Sequence, residues 1–268
     1  MLRKLMKHEF RATGRVMLPL YLVVLVTSVG ANLSIRRLMD TDVPLMNVLA
    51  SLLITAFAMA ILAVCAMAVI LMIRRFYMNL LRDEGYVMMT LPVSIHQQIW
   101  SKLLVSLVWF IATGVVVLLA VNAAAYDVHA MQELWGWVQE IFAYLTRDLP
   151  AFFHSTAFLV EFLAIGALTS FVTCLHFYAA LAIGHSASGH KMALSVAAFF
   201  AIQWIGQLVS GLFFFSPLVD RIGDLAYSLM ENGSAHLLLL GVIGGLAAVG
   251  AVLYAVTIYF LSRRLNLE

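Results

Sequence analysis

Apolar residues in this chain run in long unbroken blocks and do not alternate with polar ones. Six blocks stand out, at residues 16–35, 48–73, 103–125, 157–183, 192–215 and 236–261. A helix needs about 20 mostly apolar residues to cross the hydrocarbon of a bilayer, and each block reaches that length. A membrane β-barrel instead shows short segments of alternating hydrophobicity. Lipid offers no hydrogen bonds, so a spanning segment must satisfy its own backbone, as a helix does. The pattern predicts an all-α integral membrane protein with six transmembrane helices.

Composition agrees and limits the chemistry. Of 268 residues, 63% are hydrophobic and 11% charged, against roughly 45–50% and about 25% in soluble domains. Once the spans are removed, no stretch is long enough for a separate catalytic domain. The first block has a basic start and a small-residue triplet at Val29, Gly30 and Ala31. It exceeds the about 7–15 apolar residues of a signal peptide, so a retained first span is expected. Cys65 and Cys174 both lie in apolar blocks and read as small hydrophobes within spans.

Lys and Arg set the orientation. Arg3, Lys4, Lys7, Arg11 and Arg15 precede the first span, and Arg74, Arg75, Arg82 and Lys102 fall between the second and third. Lys191 follows the fourth, and Arg263 and Arg264 follow the sixth. The other face carries Asp40, Asp42, Asp127, Glu133, Glu140, Asp148, Asp220, Asp224 and Glu231, with four arginines. Both termini are therefore expected in the cytoplasm, as an even number of spans requires. A bacterial plasma membrane is the simplest location.

Three connections are more than loops. Residues 1–15 place Leu2, Leu5, Met6 and Phe10 on one helical face and cations around the other. That pattern fits an interfacial helix or ordinary flanking charge. Residues 74–102 read as helix, bend, helix. Phe76, Leu80 and Leu81 support the first helix and Gly85 a helix end. Leu91–Pro92 supplies an extended break, and Ser94 with Gln97 has the spacing of a capping box opening the next helix. At the bend lies the cluster Arg82, Asp83, Glu84, which fits a solvated face or a docking surface for a cytoplasmic partner. Outside, residues 131–145 and 217–230 each show apolar positions stepping by three and four, predicting two external amphipathic helices.

Motifs for catalysis are missing. Around Gly184–Lys191 the lysine is one place late for a phosphate loop, Met192 stands where Ser or Thr belongs, and no strand precedes it. Ser188 occupies the final glycine position of a nucleophile elbow. His185 and His190 lack accompanying carboxylates or thiols. We therefore expect no catalytic residues, no metal site and no nucleic-acid partner. Ionisable groups inside spans are costly and are functional candidates by default. Glu161 is the main one, close enough to the external end to reach headgroup water instead, and His176 is the other. Asn122, Gln203 and Gln207 are intramembrane amides, which join helices or face substrate. Gly241 and Gly245 have the spacing of close helix packing.

With its basic N-terminal helix, six spans and the run Arg82-Asp83-Glu84-Gly85-Tyr86, Thr90 to Ser94, then Ser101-Lys102, the chain resembles permease subunits of type-2, export-class ABC transporters. The likeness covers the whole chain in topology and residues 74–102 in sequence. It implies an elbow helix at residues 1–15 and a coupling helix at Arg82, Asp83, Glu84, Gly85 and Tyr86. A second contact would fall at His185 and His190. The partners implied are cytoplasmic ATPase subunits that bind ATP and Mg²⁺, a second permease as homo- or heterodimer, and the lipid bilayer. The chain itself would hold no cofactor. A proton-coupled or channel-like transporter using Glu161 is the alternative, followed by an intramembrane enzyme or an assembly subunit.

Overall fold

The computed structural model describes residues 2–38, 43–82, 93–126, 136–137, 139–140, 143, 149–187, 189–231 and 235–263. Among the described residues seven long helices follow one another: α1 (Leu2–Leu33), α2 (Pro44–Leu80), α3 (Ile95–Ala124), α4 (Leu149–Gly184), α5 (Lys191–Phe214), α6 (Pro217–Glu231) and α7 (Ala235–Arg263). A π-helical turn, Ser34–Leu38, extends α1. No strand occurs among the described residues. Every long helix except α6 is long and apolar enough to cross a membrane. The protein is a helical, multi-pass membrane protein.

Several helices outrun the apolar blocks. The 37 residues of α2 extend roughly 55 Å, well beyond a hydrocarbon core of about 30 Å. Its last turns, Arg74 to Leu80, are thus helix outside the apolar block, as their spacing predicts. Residues 217–230 are helical as well, inside α6. Most of 131–145 lies outside the described residues.

The N-terminal segment differs from expectation. Residues 1–15 do not form a separate elbow, because α1 is one helix from Leu2 onward, with Pro19 inside it. The reason is packing. Thr13 is buried and its hydroxyl accepts the indole N–H of Trp109 at 2.7 Å. Gly14 lies beneath the same ring, where an added Cβ would meet the indole at 3.6 Å.

The chain divides into two compact units. The first comprises Met1–Met72 and Leu104–Asp148. Its core joins Met17, Tyr21 and Val24 of α1 to Val64, Ala68 and Leu71 of α2 and Ala120 of α3. Tyr21 Oη lies 2.9 Å from Thr113 Oγ1, and Asn32 Nδ2 donates to the carbonyls of Ala124 and Tyr126 at 3.0 Å. The second unit comprises Ile73–Leu103 and Leu149–Glu268. There α4 packs against both α5 and α7.

Candidate functional site

Within the second unit, the C-terminal end of α2, the start of α3, the end of α4 and the start of α5 meet in one packed junction. Phe76 of α2 and Tyr178 of α4 are both fully buried and stack with centroids 3.9 Å apart and planes 8° apart. One residue on, Tyr77 meets the His185 ring edge-on at 5.4 Å. The Arg82 guanidinium lies 5.7 Å from the Tyr77 centroid, a cation–π distance.

The start of α3 supplies the polar wall. Gln97 N–H donates to Ser94 Oγ at 3.3 Å, so Ser94 caps the helix as its spacing predicts. Gln98, Ser101 and Lys102 are buried on one face. Lys102 Nζ donates to the Arg75 carbonyl at 3.3 Å. A flanking charge in sequence is here a buried tie between α3 and α2, because α3 begins at Ile95, two turns before the apolar block.

The turn between α4 and α5 closes the junction. His185 is 3% exposed, and its Nδ1–H donates to the Leu181 carbonyl at 2.9 Å. Ser195 Oγ lies 3.4 Å from the same nitrogen and gives its own proton to the Lys191 carbonyl. Burial pushes the His185 pKa below its ordinary 6.5; the Leu181 bond opposes this and the nearby Lys191 charge adds to it. His185 thus packs inside the junction. His190 is exposed, with a left-handed φ of 50°, and its carbonyl accepts the first turn of α5 from Leu194 N–H at 3.0 Å.

The junction thus gathers the described flanks of the 74–102 segment and the 184–191 turn in one structure. Asp83, Glu84, Gly85 and Tyr86 lie outside the described residues.

The intramembrane candidates separate from one another. Glu161 of α4 has a partner that sequence reading missed: His236, the second residue of α7, whose Nδ1 is 2.9 and 3.0 Å from the two carboxylate oxygens. The imidazole also stacks on Phe158 at 3.9 Å. The available signal was positional, since both residues fall near the start of their apolar blocks, the fourth and the sixth in the chain. His176 Nε2–H donates to the Phe199 carbonyl at 3.2 Å, joining α4 to α5. Asn122 Nδ2 turns back on its own helix, to the Leu118 carbonyl. Gln203 and Gln207 are exposed on α5.

The packing expectation at Gly241 and Gly245 does not hold within the chain. A Cβ on either meets nothing within 4 Å, whereas one on Gly250 meets Val172 at 3.5 Å. Between α3, α4 and α7 runs an apolar cleft of about 290 Å³ lined by Trp100, Leu103, Phe171, Val172 and Tyr254. Near its rim, His96 Nδ1 and Tyr254 Oη are 2.6 Å apart. No cluster of three or more metal-ligating side chains occurs among the described residues. No protein-family model, curated protein or solved structure matches the chain.

Proposed function

We propose that this chain is the permease subunit of an ATP-driven exporter of the type-2 ABC class. It would dock a separate cytoplasmic ATPase through the segment carrying Arg82, Asp83 and Glu84. The observation that carries the reading is the Phe76–Tyr178 stack, with Tyr77 on His185 beside it. These contacts tie the root of that segment to the end of α4, so a push at the tip reaches a second span. A chain without nucleotide-binding motifs needs such a link if another subunit is to drive it. ATP and Mg²⁺ would bind in the ATPase, and alternating access would follow if its nucleotide states favour different arrangements of the spans. The proposed setting is a bacterial plasma membrane, with both termini cytoplasmic and two permeases paired.

The test is copurification with a soluble Walker-motif ATPase. The double variant Arg82→Ala, Glu84→Ala should insert normally and release the ATPase. If it holds the ATPase as tightly as wild type, docking is not there.

The Glu161–His236 contact favours a second reading, a proton-coupled carrier. A carboxylate and an imidazole in contact at the start of two spans can exchange a proton with an aqueous face. Transport driven by a pH gradient in ATP-free vesicles, and lost in Glu161→Gln, would select this reading over the first.

A further inference from the structure

We propose that the apolar cleft between α3, α4 and α7 holds one acyl chain of a membrane phospholipid, whose headgroup sits at His96. All of its lining belongs to the second unit. The cleft runs lengthwise. Leu168 of α4 and Ala247 of α7 line its deep end, near the middle of the spans Thr156–Gly184 and His236–Arg263. Leu175 and Tyr254 follow one cleft length further along the same helices, roughly 10 Å nearer their C-terminal ends. From the middle of a span toward one surface is the depth range of a single leaflet's chains.

Small residues cut the floor. Ala247, Gly250 and Ala251 share a face of α7 with Tyr254, at helical spacing, and Val172 of α4 is the side chain nearest Gly250. Trp100 walls the other side, its ring 5.9 Å from Phe171 and 6.2 Å from Tyr254. Ala247, Ala251 and Trp100 are exposed, so the cleft opens sideways into the bilayer, where acyl chains are the solvent. No lining side chain is charged. Left empty, such a cleft forfeits its dispersion contacts. Its volume of about 290 Å³ matches the smallest ligand pockets, roughly 300 Å³, and takes one chain with the headgroup left outside.

The shallow end is polar. His96 is exposed in the first turn of α3, and its Nδ1 is 2.6 Å from Tyr254 Oη. With the hydroxyl donating, the imidazole proton stands on Nε2, which has no hydrogen-bond partner among the described residues. Phosphate and ester oxygens accept hydrogen bonds and offer none, so Nε2–H fits a phospholipid head. A hydrocarbon guest would leave that donor unmet. Trp100 suits the same level, since indoles gather at the membrane interface.

The site needs no ATPase, so its test is separate from that of docking. The full chain, purified in detergent, is given a substoichiometric phosphatidylglycerol with a diazirine midway along one acyl chain. Illumination and mass spectrometry then map the adducts. Labelling at Phe171, Val172 and Ala251 should exceed that at Val249 and Val252 roughly tenfold; these two valines are exposed on the other side of α7. Ala247→Phe fills the deep end and should bring cleft labelling down to that reference. Ala251→Leu fills the middle and serves if Ala247→Phe does not fold. His96→Leu should weaken labelling roughly three- to tenfold, the worth of one hydrogen bond, while His96→Asn, which keeps a donor, should retain most of it. A headless alkane carrying the same diazirine should label the cleft more weakly than the lipid and ignore His96→Leu. Cleft labelling equal to the reference, or unchanged by the filling variants, overturns the site. Labelling unchanged in His96→Leu, or equal for lipid and alkane, overturns it in favour of a plain hydrophobic groove. A cleft silent to both probes overturns it too, and would mean that another protein segment covers it.

Discussion

Phe76 and Tyr178, 102 positions apart in sequence, lie almost parallel at 3.9 Å between centroids, with no side-chain surface left exposed on either. This pair holds the junction together, because it joins the root of the 74–102 segment to α4. Phe76→Ala removes the ring and leaves a void, at a cost of about 3 kcal/mol. Thermal unfolding in detergent should show that loss, and Phe76→Tyr should recover most of it. A melting curve unchanged in Phe76→Ala would deny the stack its role.

Gly184 ends α4 where the chain must pass Ser195. A Cβ there falls on the Ser195 side chain and backbone, 2.6 Å from Cα, and backbone cannot move aside as a side-chain tip can. Gly184→Ala is expected to destabilise the protein by about 1–3 kcal/mol. Gly245→Ala, with open space around it, is expected to leave stability unchanged or raise it by up to about 1 kcal/mol through helix propensity. Equal melting temperatures for the two variants would contradict the packing described.

His185 makes the junction sensitive to acid. Burial holds its folded-state pKa below the 6.5 of the free side chain. Above pH 6.5 both folded and unfolded states are neutral and the group has no effect. Below it the unfolded chain takes a proton that the folded chain refuses, so stability falls as pH drops. His185→Asn keeps a donor for the Leu181 carbonyl and removes the titration. Unfolding curves from pH 7.5 to 5 should separate the two proteins, with wild type losing more.

Glu161 and His236 should be energetically coupled. A double-mutant cycle with Glu161→Gln and His236→Leu is expected to give an interaction energy of about 0.5–3 kcal/mol. Additive single effects would mean that the contact carries no net energy.

Trp109 and Thr13 provide the matching case in the first unit. Thr13→Val keeps the shape and removes the acceptor of the partly buried indole N–H, which costs about 1 kcal/mol. Tryptophan emission should shift along with the loss of stability, and an unchanged melt would argue against the bond.

Local rules carried well along single helices. Ser94 as a cap, the helical root of the 74–102 segment, and the helix at 217–230 all follow from spacing, because each depends on neighbours three or four positions away. Residues 1–15 show the limit of that logic. Their amphipathic pattern suits a membrane surface and a protein surface equally, and the bond of Thr13 to Trp109 on another helix is not legible in it. Lys102 read as a flanking charge because hydropathy marks the apolar block and not the helix, which starts at Ile95.

The sequence by itself determined the solvent and the secondary structure: a bilayer, and six helices long and apolar enough to cross it, since only continuous apolar helices satisfy their backbone in hydrocarbon. The tertiary structure decided the partners: Glu161 with His236, His185 inside the junction, and Gly250 in place of Gly241 and Gly245 at the α4–α7 contact. The physical reason is that lipid is as apolar as a neighbouring helix. Hydrophobic periodicity therefore does not mark which face of a span meets protein, and shape and hydrogen bonding choose it instead.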